Sequence, residues 1–393
     1  MSNEQMKKLA LLLLAGAFGF ANAKASDCTQ TSKGFTPVND LGIGTYQGFQ
    51  GGLYPNGLNV PPQAHLNAGF DMAIQIKPRD TSGQVDPNGK YVLVSIGMSN
   101  CTQEFSTFIP MANADTSRNP KLTIVDGAQG GQTAAIISNP AATFWSVVDQ
   151  RLANAGVTPK QVQIAWLKEA NAGPTGPFLP HTETLKVQLG RICRILKDRY
   201  PNIKICYLAS RIYAGYASTA LNPEPYAYES GFAVKWLIEQ QINGDSALNF
   251  DSAQSPVESP YLAWGPYLWA DGLTPRSDGL IWECSNFQTD GTHPSTSGRE
   301  KVANLLLNFF HNNPAAQVWY LKQPEGRGDL NGDGLLSSAD VVLLLNLTFL
   351  GLQAPTGGLF AADLNCSGAP DSPDVVILLN AAFLGDPLPA PCN

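Results

Sequence analysis

The chain has 393 residues, of which 25 are Lys or Arg and 32 are Asp or Glu, for a formal net charge of −7. After Arg327 there is no Lys, Arg or Glu but there are seven Asp, so residues 1–327 are balanced and the whole net charge lies in the last 66 positions. No basic excess exists to neutralise nucleic-acid phosphates, and 44% hydrophobic with 15% charged residues is a globular rather than a disordered composition.

Residues 1–23 read as a secretory signal: Lys7 and Lys8 precede an apolar run from Leu9 to Phe20, which ends in Ala21-Asn22-Ala23. That run is shorter than the roughly 20 residues a membrane span needs. An exported chain with seven cysteines is expected to form disulfides with one thiol left over. Cys366–Cys392, Cys193–Cys206 and Cys101–Cys284 are candidate pairs, leaving Cys28 free; the spacing alone fixes none of them.

Residues 24–70 are rich in Gly, Pro and Asn and predict irregular structure over the core. Apolar runs follow at Tyr91–Gly97, Lys121–Val125, Gln161–Leu167 and Ile203–Ala209. Between them lie helical patterns, the clearest over Thr182–Tyr200, where Leu185, Leu189, Ile192 and Leu196 share a face. A last helix is expected over about Ser295–Asn312. Strands that are apolar throughout, alternating with amphipathic helices, predict an α/β fold with a parallel sheet covered on both faces. Sites in such sheets lie at the carboxyl ends of the strands.

Four strand ends or loops carry polar residues of the right kinds. Gly97-Met98-Ser99-Asn100 follows the first strand, and a serine there can turn its hydroxyl to the crevice. Asp126-Gly127-Ala128-Gln129-Gly130-Gly131-Gln132 follows the second, where glycines let backbone N–H groups approach a ligand. Trp166-Leu167-Lys168-Glu169-Ala170-Asn171 ends the third. Asp290-Gly291-Thr292-His293-Pro294 is the most specific, since His293 alone of the four histidines (65, 181, 293, 311) has a carboxylate three residues upstream in a turn.

Together these segments, within about Tyr91–Asn312, resemble the SGNH (GDSL-like) hydrolases. Gly97-Met98-Ser99-Asn100 is similar to the Gly-Gln-Ser-Asn variant of acetylesterase-like members, with Met98 in place of Gln, and Lys168 stands where their third block has Gly. The resemblance implies a flavodoxin-like sheet and an esterase. Ser99 would be the nucleophile, His293 the base and Asp290 its orienting carboxylate. The Ser99 and Gly131 N–H groups and the Asn171 amide would form the oxyanion hole, with Gly130 the alternative to Gly131. An imidazole, with an ordinary pKa of about 6.5, suits proton exchange near neutral pH. The aromatic-rich stretch Tyr207–Trp269 could line a sugar-stacking groove. A non-catalytic glycan-binding or adhesion protein on the same fold is the alternative reading.

Residues 328–351 and 362–385 match at 14 of 24 positions. Asp329, Asn331, Asp333, Ser337 and Asp340, with the Leu335 carbonyl, place oxygens at calcium-loop spacing. Asp363, Asn365, Ser367, Asp371 and Asp374, with the Ala369 carbonyl, repeat the pattern. Hard oxygen donors favour Ca²⁺ over transition metals. The twin loops resemble a dockerin (type I-like) domain. That implies two structural calcium ions and a cohesin-like partner. The expected organisation is a leader at 1–23, a hydrolase-like domain at 24–327 and a small all-α calcium module at 328–393 in an exported protein.

Overall fold

The structure, a computed structural model, describes residues 25–322, 326–352 and 361–389. The expected leader and Cys392 lie outside the described residues. Five strands, β1 (Tyr91–Gly97), β2 (Leu122–Asp126), β3 (Val162–Lys168), β4 (Ile205–Ala209) and β5 (Tyr261–Trp264), form one sheet. All are parallel, in the order β2-β1-β3-β4-β5. This is the doubly wound, flavodoxin-like order, with the reversal between β1 and β3. Every residue of β3, β4 and β5 is buried, as strands covered on both faces must be. The one amide inside β3, Gln163, bonds both backbone groups of Lys77.

The numbered helices of the large domain are α1 (Gln63–Ile74), α2 (Ser99–Ala114), α3 (Thr143–Asn154), α4 (Phe178–Arg199), α5 (Tyr226–Ile242), α6 (Thr296–Asn312) and α7 (Pro314–Tyr320). Alternation along β4 shows how the layers form. Tyr207 meets Phe309 and Phe310 of α6 and Trp319 of α7, while Cys206 turns to Cys193 of α4. Helices α2 and α6 pack together on the first face, and α4 and α5 on the other.

Several expectations are corrected. β5 was not anticipated, α4 begins at Phe178 rather than Thr182, and the stretch expected to be irregular contains α1 and a short hairpin at 45–50. Cys28, expected free, pairs with Cys284, while Cys101, Cys193 and Cys206, expected to be paired, are buried free thiols. The N-terminal segment explains the pairing: Ser26 N–H donates to Thr289 O and Asp27 N–H to Tyr216 O, which carries Cys28 to Cys284 with Cα atoms 5.4 Å apart. Cys101 is enclosed beneath β1, its Sγ toward Ile96 O. Cys366 is also disulfide-bonded.

The C-terminal residues have a hydrophobic cluster of their own. Leu330, Val341, Leu344, Leu364, Val375 and Leu378 gather between α8 (Ser338–Leu350) and α9 (Ser372–Leu384). Both helices end on a left-handed glycine, Gly351 and Gly385. Among the described residues no helix is long and apolar enough to cross a membrane.

Candidate active site

Strand β1 ends at Gly97, and α2 starts two residues later at Ser99. Glycine is required there, because a Cβ would fall 2.2 Å from the Lys168 carbonyl oxygen of the adjoining strand. The sharp strand-to-helix junction leaves Ser99 partly exposed while its neighbours Met98 and Asn100 are buried. Ser99 also opens the helix, so its N–H is one of the orphan donors of a helix N-terminus.

The turn at 290–293 reaches Ser99 from the far end of the chain. Ser99 Oγ lies 2.8 Å from His293 Nε2, and His293 Nδ1 lies 2.5 Å from Asp290 Oδ2. Because a carboxylate can only accept from it, Nδ1 carries the proton, and Nε2 is left to accept from the Ser99 hydroxyl. The second oxygen, Asp290 Oδ1, accepts from the N–H groups of Thr292 and His293, both at 3.0 Å. Burial works to raise the Asp290 carboxyl, but the bonds from the His293 ring, the His293 N–H and the Thr292 N–H outweigh it and hold the group below the ordinary carboxylate range. Asn100, not singled out from the sequence, donates its amide to Thr292 O at 3.0 Å and ties the start of α2 to the same turn.

A carboxylate partner does not by itself distinguish His293. His181 bonds Glu229, His311 bonds Asp115, and His65 bonds Leu262 O. His181 and His65 lie in the first turns of α4 and α1. Only His293 has a hydroxyl on its second nitrogen opposite the carboxylate.

The loop after β2 returns over β1 through Gln129 N–H to Gly97 O. Asp126 pins it, accepting from Ser95 Oγ, Thr102 Oγ1 and Ala128 N–H. A Cβ on Gly130 would lie 4.0 Å from Ser99 Cβ, whereas one on Gly131, at φ +76°, would meet nothing. The N–H groups of both glycines donate to no acceptor among the described residues. Asn171 follows β3. Its Oδ1 accepts from Ala135 N–H at 3.0 Å and its Nδ2 donates to Gln188 Oε1 at 2.6 Å, so one amide hydrogen is committed and one is not.

Lys168, which stands where the SGNH hydrolases that the sequence resembles have Gly, has its own physical reason. Its ammonium bonds both oxygens of Glu104 on α2, and both residues are fully buried. Burial lowers the lysine and raises the glutamate, and the opposite charge of each partner works against that shift in the other. Next to it, Glu169 is enclosed with one oxygen on Ala170 N–H, and burial pushes its carboxyl well above the usual range.

The aromatic stretch does not form an open groove. Tyr207, Tyr213, Tyr216, Tyr228, Tyr261, Tyr267, Trp264 and Trp269 are buried in the core, and Tyr226, Trp236 and Phe250 reach the surface in part.

In the C-terminal segment, Asp329 turns both oxygens inward to the N–H groups of Gly332, Asp333 and Gly334. Asp340, fully buried, accepts from Leu330, Asn331 and Ser337. Asp363 and Asp374 repeat this in the second loop. Ser337 and Asp371 are also the N-caps of α8 and α9. Among the described residues no three His, Cys, Asp or Glu side chains converge as a metal cluster. The loops instead mix carboxylates with amide, hydroxyl and carbonyl oxygens, a donor set whose chemistry fits a hard cation.

No family model matches the chain, and no curated protein does. Solved structures similar to it include a candidate acylhydrolase from Bacteroides fragilis (14% identity, covering 63% of this chain and 96% of that one, TM-score 0.34). A candidate GDSL-like lipase from Parabacteroides merdae is similar over 62% of this chain and 99% of that one (14% identity, TM-score 0.32). The periplasmic domain of a Salmonella lipopolysaccharide acetyltransferase is similar over 64% and 96% (13% identity, TM-score 0.31).

Proposed function

We propose that the large domain is a serine esterase of SGNH type. The observation that carries this reading is the continuous Ser99–His293–Asp290 hydrogen-bond chain at the carboxyl edge of a doubly wound sheet. In the first half-reaction Ser99 Oγ bonds to the ester carbonyl carbon while its proton passes to His293 Nε2. Asp290 holds the ring in the tautomer that can take that proton and stabilises the imidazolium. The oxyanion would be met by the Ser99 N–H, a glycine N–H at 130 or 131 and the uncommitted Asn171 hydrogen. His293 then returns the proton to the departing alcohol, and water repeats the sequence on the acyl-enzyme. Carbohydrate acetyl esters remain the substrate class to test first. The test is a panel of short-chain p-nitrophenyl and acetylated-sugar esters, in which the wild type releases acid and S99A and H293A release none. An inert wild type would refute the assignment.

We further propose that residues 328–393 form a dockerin-like module. Ca²⁺ there would be held by Asp329, Asn331, Asp333, Leu335, Ser337 and Asp340, and by Asp363, Asn365, Ser367, Ala369, Asp371 and Asp374. Its role would be to lock the two loops. Val342, Leu345 and Phe349 on α8 and Val376, Leu379 and Phe383 on α9 are exposed at equivalent positions, which supports docking to a cohesin-like partner of an exported protein.

A further inference from the structure

The turn that carries Asp290 and His293 rests on another loop. Ser218 N–H donates to Asp290 O at 3.1 Å, and the Thr219 and Thr292 hydroxyls meet at 2.9 Å. Gly291, at φ +63°, lies so close to Tyr216 that a Cβ would fall 2.0 Å from its carbonyl oxygen. Residues 213–219 are thus the bed of the turn, and they form neither helix nor strand. The bed is held from outside. Tyr213 OH donates to Gln30 O and Tyr216 OH to Trp282 O. At its base stands Glu224, whose Oε1 accepts from Ala214 N–H at 2.9 Å and Trp269 Nε1 at 2.7 Å. Its Oε2 accepts from Tyr228 N–H at 2.9 Å. One carboxylate therefore joins the bed, the first turn of α5 and the segment after β5.

We propose that Glu224 is a positioning residue for the Ser99–His293–Asp290 chain, acting through the 213–219 bed. The inference rests on the esterase reading for its kinetic consequence but not for its geometry. Hydrogen bonds to a charged acceptor are about twice as strong as neutral ones, and three of them converge here from three separate segments. Removing the carboxylate frees Ala214, and with it the support beneath Asp290. Burial pushes Glu224 up to about 7, with the nearby Asp271 carboxylate adding to it, against the pull of the three donors. Buried Arg211 lies near enough to feel the Glu224 charge, together with those of Glu104, Glu169 and Asp290. The ionised clamp is accordingly tested above that value.

The full chain serves for the experiment. E224Q keeps the shape but turns an NH₂ donor toward N–H groups. We expect kcat for p-nitrophenyl acetate to fall at least about tenfold, as a small misplacement of reacting groups does, with KM within about twofold. The low-field proton signal of the His293 Nδ1–Asp290 bond, assigned by its loss in H293Q, should broaden or vanish. E229Q, which alters a buried glutamate bonded instead to Tyr46 and His181, should keep both. An unchanged signal and kcat in E224Q overturns the proposal, as does an equal loss in E229Q. If E224Q does not fold, W269F removes one of the three donors and should weaken the same signal; an unmoved signal then overturns it. A wild type without esterase activity whose proton signal is still lost in E224Q refutes the esterase reading and leaves the positioning role standing.

Discussion

Asp290 spends both its oxygens on one five-residue turn, one on the imidazole and one on two backbone N–H groups. Such a carboxylate orients the ring only while it is ionised. Its lowered pKa keeps it so throughout the range where an imidazole exchanges its proton. The sign for stability follows from linkage. A carboxyl depressed by folding contributes fully above its unfolded value of about 3.9, and the contribution is lost as pH falls through the lower native value. D290N should therefore remove the acid-side loss of stability that Asp290 causes. It should also lower kcat by about 10⁴-fold through the wrong tautomer, measured with p-nitrophenyl acetate alongside acid unfolding followed by circular dichroism. Residues 99, 290 and 293 were legible because each stands in a short motif whose spacing is local. Glu104, Lys168 and Glu224 were not, since their partners come from segments far apart in the chain. Lys168 read from sequence only as a departure, and became intelligible once Glu104 was seen against it.

At the scale of elements, legibility followed length and burial. β1, β3 and β4 announce themselves as largely apolar runs because both faces are covered, with Ser95 and Gln163 the polar residues inside them. β5 is four residues, Tyr261–Trp264, between Pro260 and Gly265; neither alternation nor run length can mark so short a strand. α1 is hidden by its flanks, since Pro62 and the Gly and Asn residues around it are loop formers. The twin C-terminal loops are a different case, because the repeat itself is the signal. In both, a buried Asp closes the loop by accepting N–H groups from either end. Calorimetry should register calcium binding to the full chain and lose it in the D329A/D363A double variant, with α8 and α9 melting earlier in the variant. Absence of any calcium heat in the wild type would overturn the calcium assignment.

For the whole molecule, the sheet class and the charge partition could be read in advance, while the covalent connectivity could not. Cysteine pairing depends on which distant segments meet, and here the meeting is made by residues 26–28 lying along the 284–290 region. Cys28 and Cys284 are separated by 256 residues. Closing so long a loop restricts the unfolded chain, and C28A/C284A should lower stability by about 2–5 kcal/mol, measured by denaturant unfolding with the slope compared for both forms. An unchanged midpoint would show that the bond adds nothing to equilibrium stability.

The same bond has a topological consequence. Its ring includes every strand of the central sheet and Ser99, while Asp290 and His293 come just after its closing cysteine in the chain. The ring can be sealed only after Cys284 has been made, so an oxidant reaching a shorter nascent chain finds the correct partner of Cys28 missing and only the wrong thiols at 101, 193 and 206 on offer. A finished molecule cut once anywhere between 28 and 284 remains one covalent object until it meets a reductant.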